Sequence, residues 1–389
     1  MSAELDPILL QEIEQLVQLD TTSRDSNLEL VNLVTARLDK HGISYELIPN
    51  EDGTKANLLA TIPAADGTRT GGLVLSGHTD VVPVDGQDWD SEPFATDIRD
   101  GKLYGRGTAD MKSFIAVILY RLEQLVSAKL SEPIHLALSY DEEIGCVVAV
   151  SLVDKITELD LQPAGCVVGE PSSMRVIRGH KSMNVFRVDF HGVAAHSSLP
   201  SEGLNAISYA VRYAQFVNDL SAQLRAGERD EAFIEPTTTM NVNRFDGGIA
   251  VNTIPSECSV FVEYRSLATV DREALTGQLK AEAERLGAEM NAVNPAGKVE
   301  FTVIAGAPGL ETAADEPIVA RTQSWGGLAA DDKVTYGTEA GLFAAAGIPT
   351  VVCGPGDIAQ AHAPNEFIEL EQISACVDFI DALVADLSR

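Results

Sequence analysis

The chain alternates short apolar runs, typical of buried strands, with segments of helical periodicity, and several runs end directly in a histidine or a carboxylate. Residues 73–76 lead into His78 and Asp80, and residues 166–168 lead into Glu170. Alternation of this kind indicates an α/β domain with a mixed, largely parallel sheet flanked by helices. Because ligand sites in such sheets form where the carboxyl ends of strands meet loops, these polar residues are candidates for one common site.

A different pattern interrupts the first between residues 179 and 304. There the strand-like runs alternate strictly between apolar and polar residues, as in residues 183–190 and 258–264, and two long helical segments separate them. The order β-α-β-β-α-β predicts a split-βαβ, ferredoxin-like α+β domain with an antiparallel sheet. The sequence therefore predicts a larger domain in two parts, residues 1–178 and 305–389, with a smaller domain inserted between them.

The composition excludes several classes of partner. Lys and Arg total 28 and Asp and Glu total 58, which gives a formal net charge of −30 and argues against nucleic acid and anionic membranes. No apolar run approaches the length of a membrane span, and the acidic residues 1–7 lack the basic region of a secretory signal peptide. Scattered cysteines without CxxC spacing fit buried free thiols in a reducing cytoplasm. They are Cys146, Cys166, Cys258, Cys353 and Cys376. We therefore expect a cytoplasmic protein.

Five short segments carry the chemistry. They are Gly77-His78-Thr79-Asp80, Gly107-Thr108-Ala109-Asp110-Met111-Lys112, Asp141-Glu142-Glu143, Gly169-Glu170-Pro171 and Ala361-His362. Together they supply the ligands for two adjacent divalent metal ions and a general base. Asp110 is the natural bridging ligand, with one oxygen for each ion. His78 and Glu170 would complete one site, and Glu143 and His362 would complete the other.

Two further carboxylates have roles in this hypothesis. Asp80 lies on the same strand face as His78 and can accept a hydrogen bond from the far ring nitrogen. Glu142 precedes Glu143, so one glutamate can ligate while Glu142 takes a proton from the attacking water and later passes it to the leaving amine. Taken singly, a strand-end histidine is usually a hydrogen-bonded residue, paired glutamates are usually solvated, and Asp110 is more often a helix N-cap. Their occurrence as an ordered series favours the metal site.

The five segments, with the second extended back to Tyr104, resemble the dinuclear zinc deacylase and aminopeptidase-like family over nearly the whole chain. That family includes acetylornithine deacetylases, succinyl-diaminopimelate desuccinylases, aminoacylases and some carboxypeptidases. The resemblance implies a catalytic domain interrupted by a lid or dimerisation domain, a homodimer formed through that domain, and a cis peptide bond after Asp110. It also implies two Zn²⁺ ions per subunit, for which Co²⁺ can substitute, and hydrolysis of the amide of an N-acyl amino acid.

Four segments are most similar to the acetylornithine deacetylases within the family. They are Gly179-His180-Lys181, Gly192-Val193-Ala194-Ala195-His196-Ser197-Ser198, Gly203-Leu204-Asn205-Ala206 and Gly337-Thr338-Glu339-Ala340. This resemblance implies N2-acetyl-L-ornithine as substrate and a place in arginine biosynthesis. The alternatives are a succinyl-diaminopimelate desuccinylase, an aminoacylase or a dipeptidase, and, outside enzymes, a metal-binding scaffold protein. The intact Glu142 disfavours the scaffold, and the lack of a glycine-rich phosphate fingerprint disfavours a nucleotide-binding protein.

The resemblance also implies residues that contact the substrate. His196 would enter the partner subunit's site and help hold the oxyanion, and the alternative is a polar residue that caps the following helix. Asn252 and Arg265 are candidates for binding the substrate carboxylate or the oxyanion, and a surface ion pair is the alternative for Arg265. Gly337 and Glu339 are candidates for contacting the substrate. Glu339 would meet a cationic side-chain amine, or would only support its loop.

Overall fold

The computed structural model describes residues 5–388. Residues 1–4, on which part of the signal-peptide argument rests, lie outside the described residues. The chain divides into two compact units. The smaller unit comprises His180–Gly309 and Lys333–Gly337, and the larger unit comprises the chain on either side of it. The sequence places the start of the smaller domain at residue 179 and its end at residue 304, and it does not indicate that residues 333–337 return to it.

Helices and strands occur throughout the described chain. The helices are α1 (Pro7–Val17), α2 (Leu28–Lys40), α3 (Lys112–Tyr120), α4 (Leu122–Ser127), α5 (Ala149–Glu158), α6 (Ala206–Arg225), α7 (Arg272–Val293), α8 (Pro317–Ser324), α9 (Ala340–Ala345) and α10 (Leu370–Leu387). The strands are β1 (Ser44–Pro49), β2 (Ala56–Ile62), β3 (Leu73–His78), β4 (Asp97–Arg99), β5 (Lys102–Tyr104), β6 (Ile134–Ser139), β7 (Gly165–Pro171), β8 (Arg175–Val176), β9 (Gly179–His180), β10 (Met183–His191), β11 (Ala195–His196), β12 (Thr239–Gly247), β13 (Thr253–Ile254), β14 (Glu257–Arg265), β15 (Lys298–Ala307), β16 (Leu310–Glu311), β17 (Leu328–Ala329), β18 (Thr350–Gly354) and β19 (Phe367–Glu369). Short 3₁₀ turns lie at Pro200–Glu202 and Ile358–Gln360.

The larger unit is built on a six-stranded sheet of order β1-β2-β6-β3-β7-β18. The pairs β6–β3, β3–β7 and β7–β18 are parallel, whereas β1–β2 and β2–β6 are antiparallel. Strands β2, β3, β6 and β7 are buried along their whole lengths, as expected of strands that helices cover on both faces. The predicted mixed, largely parallel sheet is therefore confirmed.

The register of this sheet sets where the polar strand ends meet. His78 at the end of β3 pairs with Ser139 at the end of β6, and Ser76 pairs with Val168 of β7. Glu170, two residues after Val168, therefore lies on the strand beside His78. The loop that follows β6 begins at the same edge of the sheet, so it carries its glutamates to the same place.

The smaller unit has a four-stranded antiparallel sheet of order β12-β14-β10-β15 with helices α6 and α7. Its core is formed by one face of the sheet, where Phe186, Val188 and Phe190 of β10 are buried at every second position. The side chains of Asn205 and Asp271 cap the first turns of α6 and α7. The predicted split-βαβ fold is confirmed.

Two helices differ locally from what their sequences predict. The periodicity of residues 110–126 predicts a single helix, but α3 ends at Tyr120 and α4 begins at Leu122. Asn27 occupies the N-cap position of α2, as the sequence predicts, but its side chain makes no cap hydrogen bond. The Asn27 amide instead donates to the main-chain oxygen of Ala56 and accepts from the Ala56 N–H, which ties α2 to the start of β2. A contact with a distant strand has replaced the local one.

Three other expectations concern the covalent chain and its environment. The five cysteines are free and buried, as predicted. The Asp110–Met111 peptide bond is cis, as the family resemblance implies. Over the part of the chain that the structure describes, no helix is both long enough and apolar enough to cross a bilayer.

Candidate metal centre

The carboxylate of Asp110 lies between two histidines of the larger unit. His78 Nε2 is 2.9 Å from Asp110 Oδ1, and His362 Nε2 is 3.2 Å from Asp110 Oδ2. Each carboxylate oxygen therefore faces a different imidazole. A carboxylate that bridges two cations needs this arrangement.

Two groups of potential ligands share Asp110. The first is His78, Asp110 and Glu170, and the second is Asp110, Glu143 and His362. In each group the ligand atoms lie within 4.8 Å of one another. Glu170 Oε1 is 3.6 Å from His78 Nε2, and Glu143 Oε2 is 2.8 Å from His362 Nε2. The structure thus brings together the five residues that the sequence nominates, in the same two sets.

The side chains present fit divalent cations. Glu170 Oε1 is buried and has no hydrogen-bond partner among residues 5–388. A buried carboxylate oxygen without a partner is costly unless a cation occupies the space that it faces. The side chains of Asp110, Glu143 and Glu170 are 4–5% exposed, and the imidazoles of His78 and His362 face them. Nitrogen and carboxylate donors in groups of three suit Zn²⁺ and also other divalent transition metals.

Burial and mutual contact shift the pKa of every member of the cluster. Burial raises the pKa of Glu143 to about 7 and raises that of Glu170 well above its ordinary value. Hydrogen bonds to Asp110 and Glu143 raise the pKa of His362 to about 11. Burial disfavours the charged form of Asp110, but its hydrogen bonds to His362 and His78 outweigh burial and lower its pKa. The raised pKa values of Glu170 and His362 mean that these two groups would release protons on binding a cation.

Asp80 organises two parts of the site. The nearest partner of His78 Nδ1 is the main-chain oxygen of Asp80 at 2.9 Å, with the carboxylate Oδ1 further away at 3.5 Å. The carboxylate accepts hydrogen bonds from the N–H groups of Glu142 (3.2 Å) and Glu143 (3.3 Å) and from the hydroxyl of Ser23 (2.6 Å). Asp80 therefore orients the glutamate loop as well as the histidine, a contact that the sequence does not indicate.

Glu142 belongs to neither ligand group. Its side chain is buried, and Oε1 lies 3.1 Å from the Sγ atom of Cys146. Burial raises the pKa of Glu142 to about 8. A carboxylate whose pKa lies near neutrality, beside the ligands but outside both groups, is suited to exchange protons with a reacting water.

Lys55 is a part of the site region that sequence reasoning missed. Its Nζ lies 2.5 Å from Asp141 Oδ1, and both side chains are mostly buried. Asp141 begins the glutamate loop and has a positive φ of 60°, so the ion pair fixes the loop where its main chain turns. The two residues are 86 positions apart, and no local pattern links them.

Glu339 lies inside the larger unit. It is fully buried, and its two oxygens accept hydrogen bonds from the hydroxyls of Ser76 and Ser139, each at 2.6 Å. Ser76 belongs to β3 and Ser139 ends β6, so this carboxylate joins the two strands that lead into the site. The sequence leaves two roles open for Glu339, contact with a substrate amine or structural support. This geometry favours structural support.

Two of the remaining candidates are adjacent in the smaller unit. His196 is exposed, and its Nδ1 lies 2.7 Å from the hydroxyl of Ser198. Asn252 is also exposed, and its main-chain oxygen accepts a hydrogen bond from the N–H of Ser197 at 3.0 Å. Pairing of β11 with β13 brings the two segments together.

Arg265 and Gly337 lie in another part of the smaller unit. Arg265 Nε donates to Glu263 Oε1 at 2.7 Å, and the side chain lines a surface cavity of about 370 Å³ together with Lys181. A Cβ at Gly337 would lie 3.2 Å from the main-chain oxygen of Lys181, so the backbone passes close to this cavity. The structure therefore groups these two candidates with each other and with a lysine that the sequence did not nominate.

Comparison with known proteins places the chain in a family. Residues 74–386 match the sequence model of peptidase family M20/M25/M40. An acetylornithine deacetylase from Proteus mirabilis is 35% identical over 366 residues, which cover 94% of this chain and 91% of that protein. An acetylornithine deacetylase from Myxococcus xanthus is 33% identical over 383 residues, 97% of each protein. An M20 family metallo-carboxypeptidase from Sulfolobus solfataricus shares the fold, with a TM-score of 0.75 at 18% identity over 99% of both chains. The chain belongs to peptidase family M20/M25/M40.

Proposed function

We propose that the protein hydrolyses the amide bond of an N-acyl amino acid with the help of two metal ions. The observation that carries this proposal is the position of Asp110, whose two oxygens each face a different histidine. The favoured substrate is N2-acetyl-L-ornithine, which would give L-ornithine and acetate in arginine biosynthesis. The similarity to acetylornithine deacetylases over more than nine-tenths of the chain supports this choice.

In this proposal the cluster holds two Zn²⁺ ions, for which Co²⁺ can substitute. One ion would be held by His78, Asp110 and Glu170, and the other by Asp110, Glu143 and His362. When bound, the ions would polarise the acyl carbonyl and lower the pKa of the attacking water.

Glu142 would carry the proton transfers. Its carboxylate takes a proton from the water as the oxygen attacks the acyl carbon. It then gives that proton to the amide nitrogen as the carbon–nitrogen bond breaks, so the amine leaves and the carboxylate is restored. Asp80 holds the N–H groups of Glu142 and Glu143, and this fixes the base relative to the neighbouring ligand.

Substrate recognition is proposed for the smaller unit. Arg265 lines a cavity with Lys181 and Glu235, and the guanidinium donors that Glu263 leaves free suit the carboxylate of an amino acid. Gly337 would line the same site, and Asn252 would bind the carboxylate or the oxyanion. Glu339 would act indirectly, through the two strands that its carboxylate joins.

A panel of substrates tests the proposed function. We expect N2-acetylornithine to be hydrolysed far faster than N-succinyl-diaminopimelate, N-acetylmethionine or a dipeptide, because acetylornithine deacetylases are similar to this chain over more than nine-tenths of its length. Activity should disappear with a chelator and return with added Zn²⁺ or Co²⁺, as initial rates would show. Preference for another substrate would change the substrate assignment but would leave the proposal of metal-dependent amide hydrolysis intact. Absence of turnover on all four, with metal bound, would favour the scaffold alternative.

We further propose a homodimer in which His196 acts in the partner's site. The exposure of His196 supports this, because a residue that reaches another subunit has to be accessible in the single chain. Mixed dimers of His196→Ala and Glu142→Ala chains should regain activity, since one site per dimer would then hold both intact residues. Two co-expressed affinity tags allow the mixed dimer to be purified and assayed. Lack of rescue, with both parent variants inactive, would contradict action in the partner's site.

A further inference from the structure

A buried ion pair contacts the main chain at the bridging carboxylate. Arg106 Nη1 lies 2.6 Å from Glu366 Oε2, and each side chain is 1% exposed. The other oxygen of Glu366 accepts hydrogen bonds from the N–H groups of Ala109 (2.9 Å) and Asp110 (3.1 Å). One carboxylate therefore binds both the guanidinium and the main chain of the residue that the two ligand groups share.

The same ion pair is linked to the segment that carries His362. Arg106 Nη2 donates to Gln87 Oε1 at 2.6 Å, and Gln87 Nε2 donates to the main-chain oxygen of His362 at 3.0 Å. The three side chains of Gln87, Arg106 and Glu366 form a chain of hydrogen bonds that we call the bracing network. It contacts the main chain at both Asp110 and His362, on two segments far apart in the sequence.

The geometry at His362 shows what the network has to hold. This residue has a positive φ of 63°, a conformation that few residues other than glycine adopt without support. The hydrogen bond from Gln87 fixes the carbonyl of that residue. On the other side of the cluster, Glu366 fixes the direction of the Asp110 N–H.

Stability alone is a weak explanation for the network. A buried ion pair gives little net stability compared with apolar side chains of similar volume, because both charges lose their hydration. Here the atoms of the pair are instead directed at the main chain beside two candidate ligands. Partners that orient ligands in this way typically change metal affinity by roughly 10- to 100-fold when they are removed.

We propose that Arg106 and Glu366 are positioning residues of the metal centre, which with Gln87 set the separation of Asp110 from His362. The proposal rests on the proposed function, since it requires that the cluster binds two metal ions. Asp110 serves both ligand groups and His362 serves only one. The ion held by Asp110, Glu143 and His362 should therefore depend on the network more strongly than the other ion does.

The test is metal affinity, measured on the purified full-length protein. The variant Arg106→Met with Glu366→Leu removes both charges together and so leaves no buried charge unpaired. Competition with a chromogenic chelator would give the affinity for each of the two Zn²⁺ ions. We expect a loss of roughly 10- to 100-fold at the site of Asp110, Glu143 and His362 and a smaller loss at the other site. Circular dichroism would check that the variant is folded.

A control uses another, more exposed ion pair of the larger unit. Arg121 and Asp381 lie 2.7 Å apart, and Asp381 is on α10, which carries none of the candidate ligands. The variant Arg121→Met with Asp381→Leu should keep the wild-type affinity for both ions. A second test variant, Gln87→Ala, removes the donor to His362 and the acceptor for Arg106 Nη2 and Trp89 Nε1, but it keeps the Arg106–Glu366 pair. This variant should lower the affinity for one ion without affecting the fold.

The outcomes separate this inference from the proposed function. Wild-type protein that fails to bind two ions would reject the proposed function and the inference with it. Wild-type protein that binds two ions, with unchanged affinities in the folded double variant and in Gln87→Ala, would overturn the inference alone. Equal losses in the Arg121–Asp381 control would also overturn it, because the effect would then be one of general stability.

Discussion

Replacement of Glu142 by alanine is expected to remove most turnover while both metal ions stay bound. The reason is geometric: Glu142 is buried beside the ligands but belongs to neither group of ligand atoms. Loss of a general base typically lowers the rate by about 10²- to 10⁴-fold. Steady-state kinetics would give kcat, and elemental analysis of the same samples would give the number of ions per chain.

The chain offers a control for this variant. Glu158, at the end of α5, is an exposed glutamate in the same unit, so Glu158→Ala should leave the kinetics unchanged. Activity of Glu142→Ala near that of the wild type would show that the base is another residue. Loss of an ion together with activity would show that Glu142 is a ligand.

Replacement of Asp110 by alanine is expected to abolish binding of both metal ions. Each oxygen of Asp110 faces a different histidine, so one substitution removes a donor from both groups. The loss of affinity should exceed the roughly 10- to 100-fold that removal of an outer partner costs. Isothermal titration with Zn²⁺ would measure it, with circular dichroism to check the fold.

Single-group variants are the comparison for Asp110. Glu170→Ala and Glu143→Ala each remove a ligand from one group only, so each variant should keep one ion of the pair. Two tightly bound ions in Asp110→Ala would rule out the bridging role. Retention of both ions in Glu170→Ala and Glu143→Ala would show that these two glutamates are not metal ligands.

Two candidate metal ligands of the larger unit lie at or near the ends of buried strands. His78 ends a buried strand, and Glu170 lies in the last part of another. Because parallel strands deliver their carboxyl ends to one edge, alternation along the chain is enough to predict that such residues meet. The smaller unit is predictable for a similar reason, since strict alternation along β10 and β14 identifies strands with one buried face.

The supporting contacts are not predictable in this way. Glu366 reaches the N–H of Asp110 across 256 positions, and Lys55 reaches Asp141 across 86. Neither pair belongs to a local pattern, and a single sequence carries no signal for which distant side chain will meet which main-chain group. Asn27 shows the converse, because a residue typical of a helix N-cap is used instead to hold the start of β2. The candidate ligands can be predicted from local sequence patterns. The residues that position them are determined by tertiary packing.

The insertion of the smaller unit into the larger one has a consequence for synthesis of the protein. The ribosome releases His78, Asp110, Glu143 and Glu170 first, then the smaller unit, and His362 only near the end. The smaller unit's sheet lies within His180–Gly309, so its strands are all available before the last strand of the larger sheet, β18, has been translated. A nascent chain can therefore present one complete ligand group while the second still lacks its histidine. If the cluster holds two ions, the second group can be completed only after His362 has been translated, near the end of the chain.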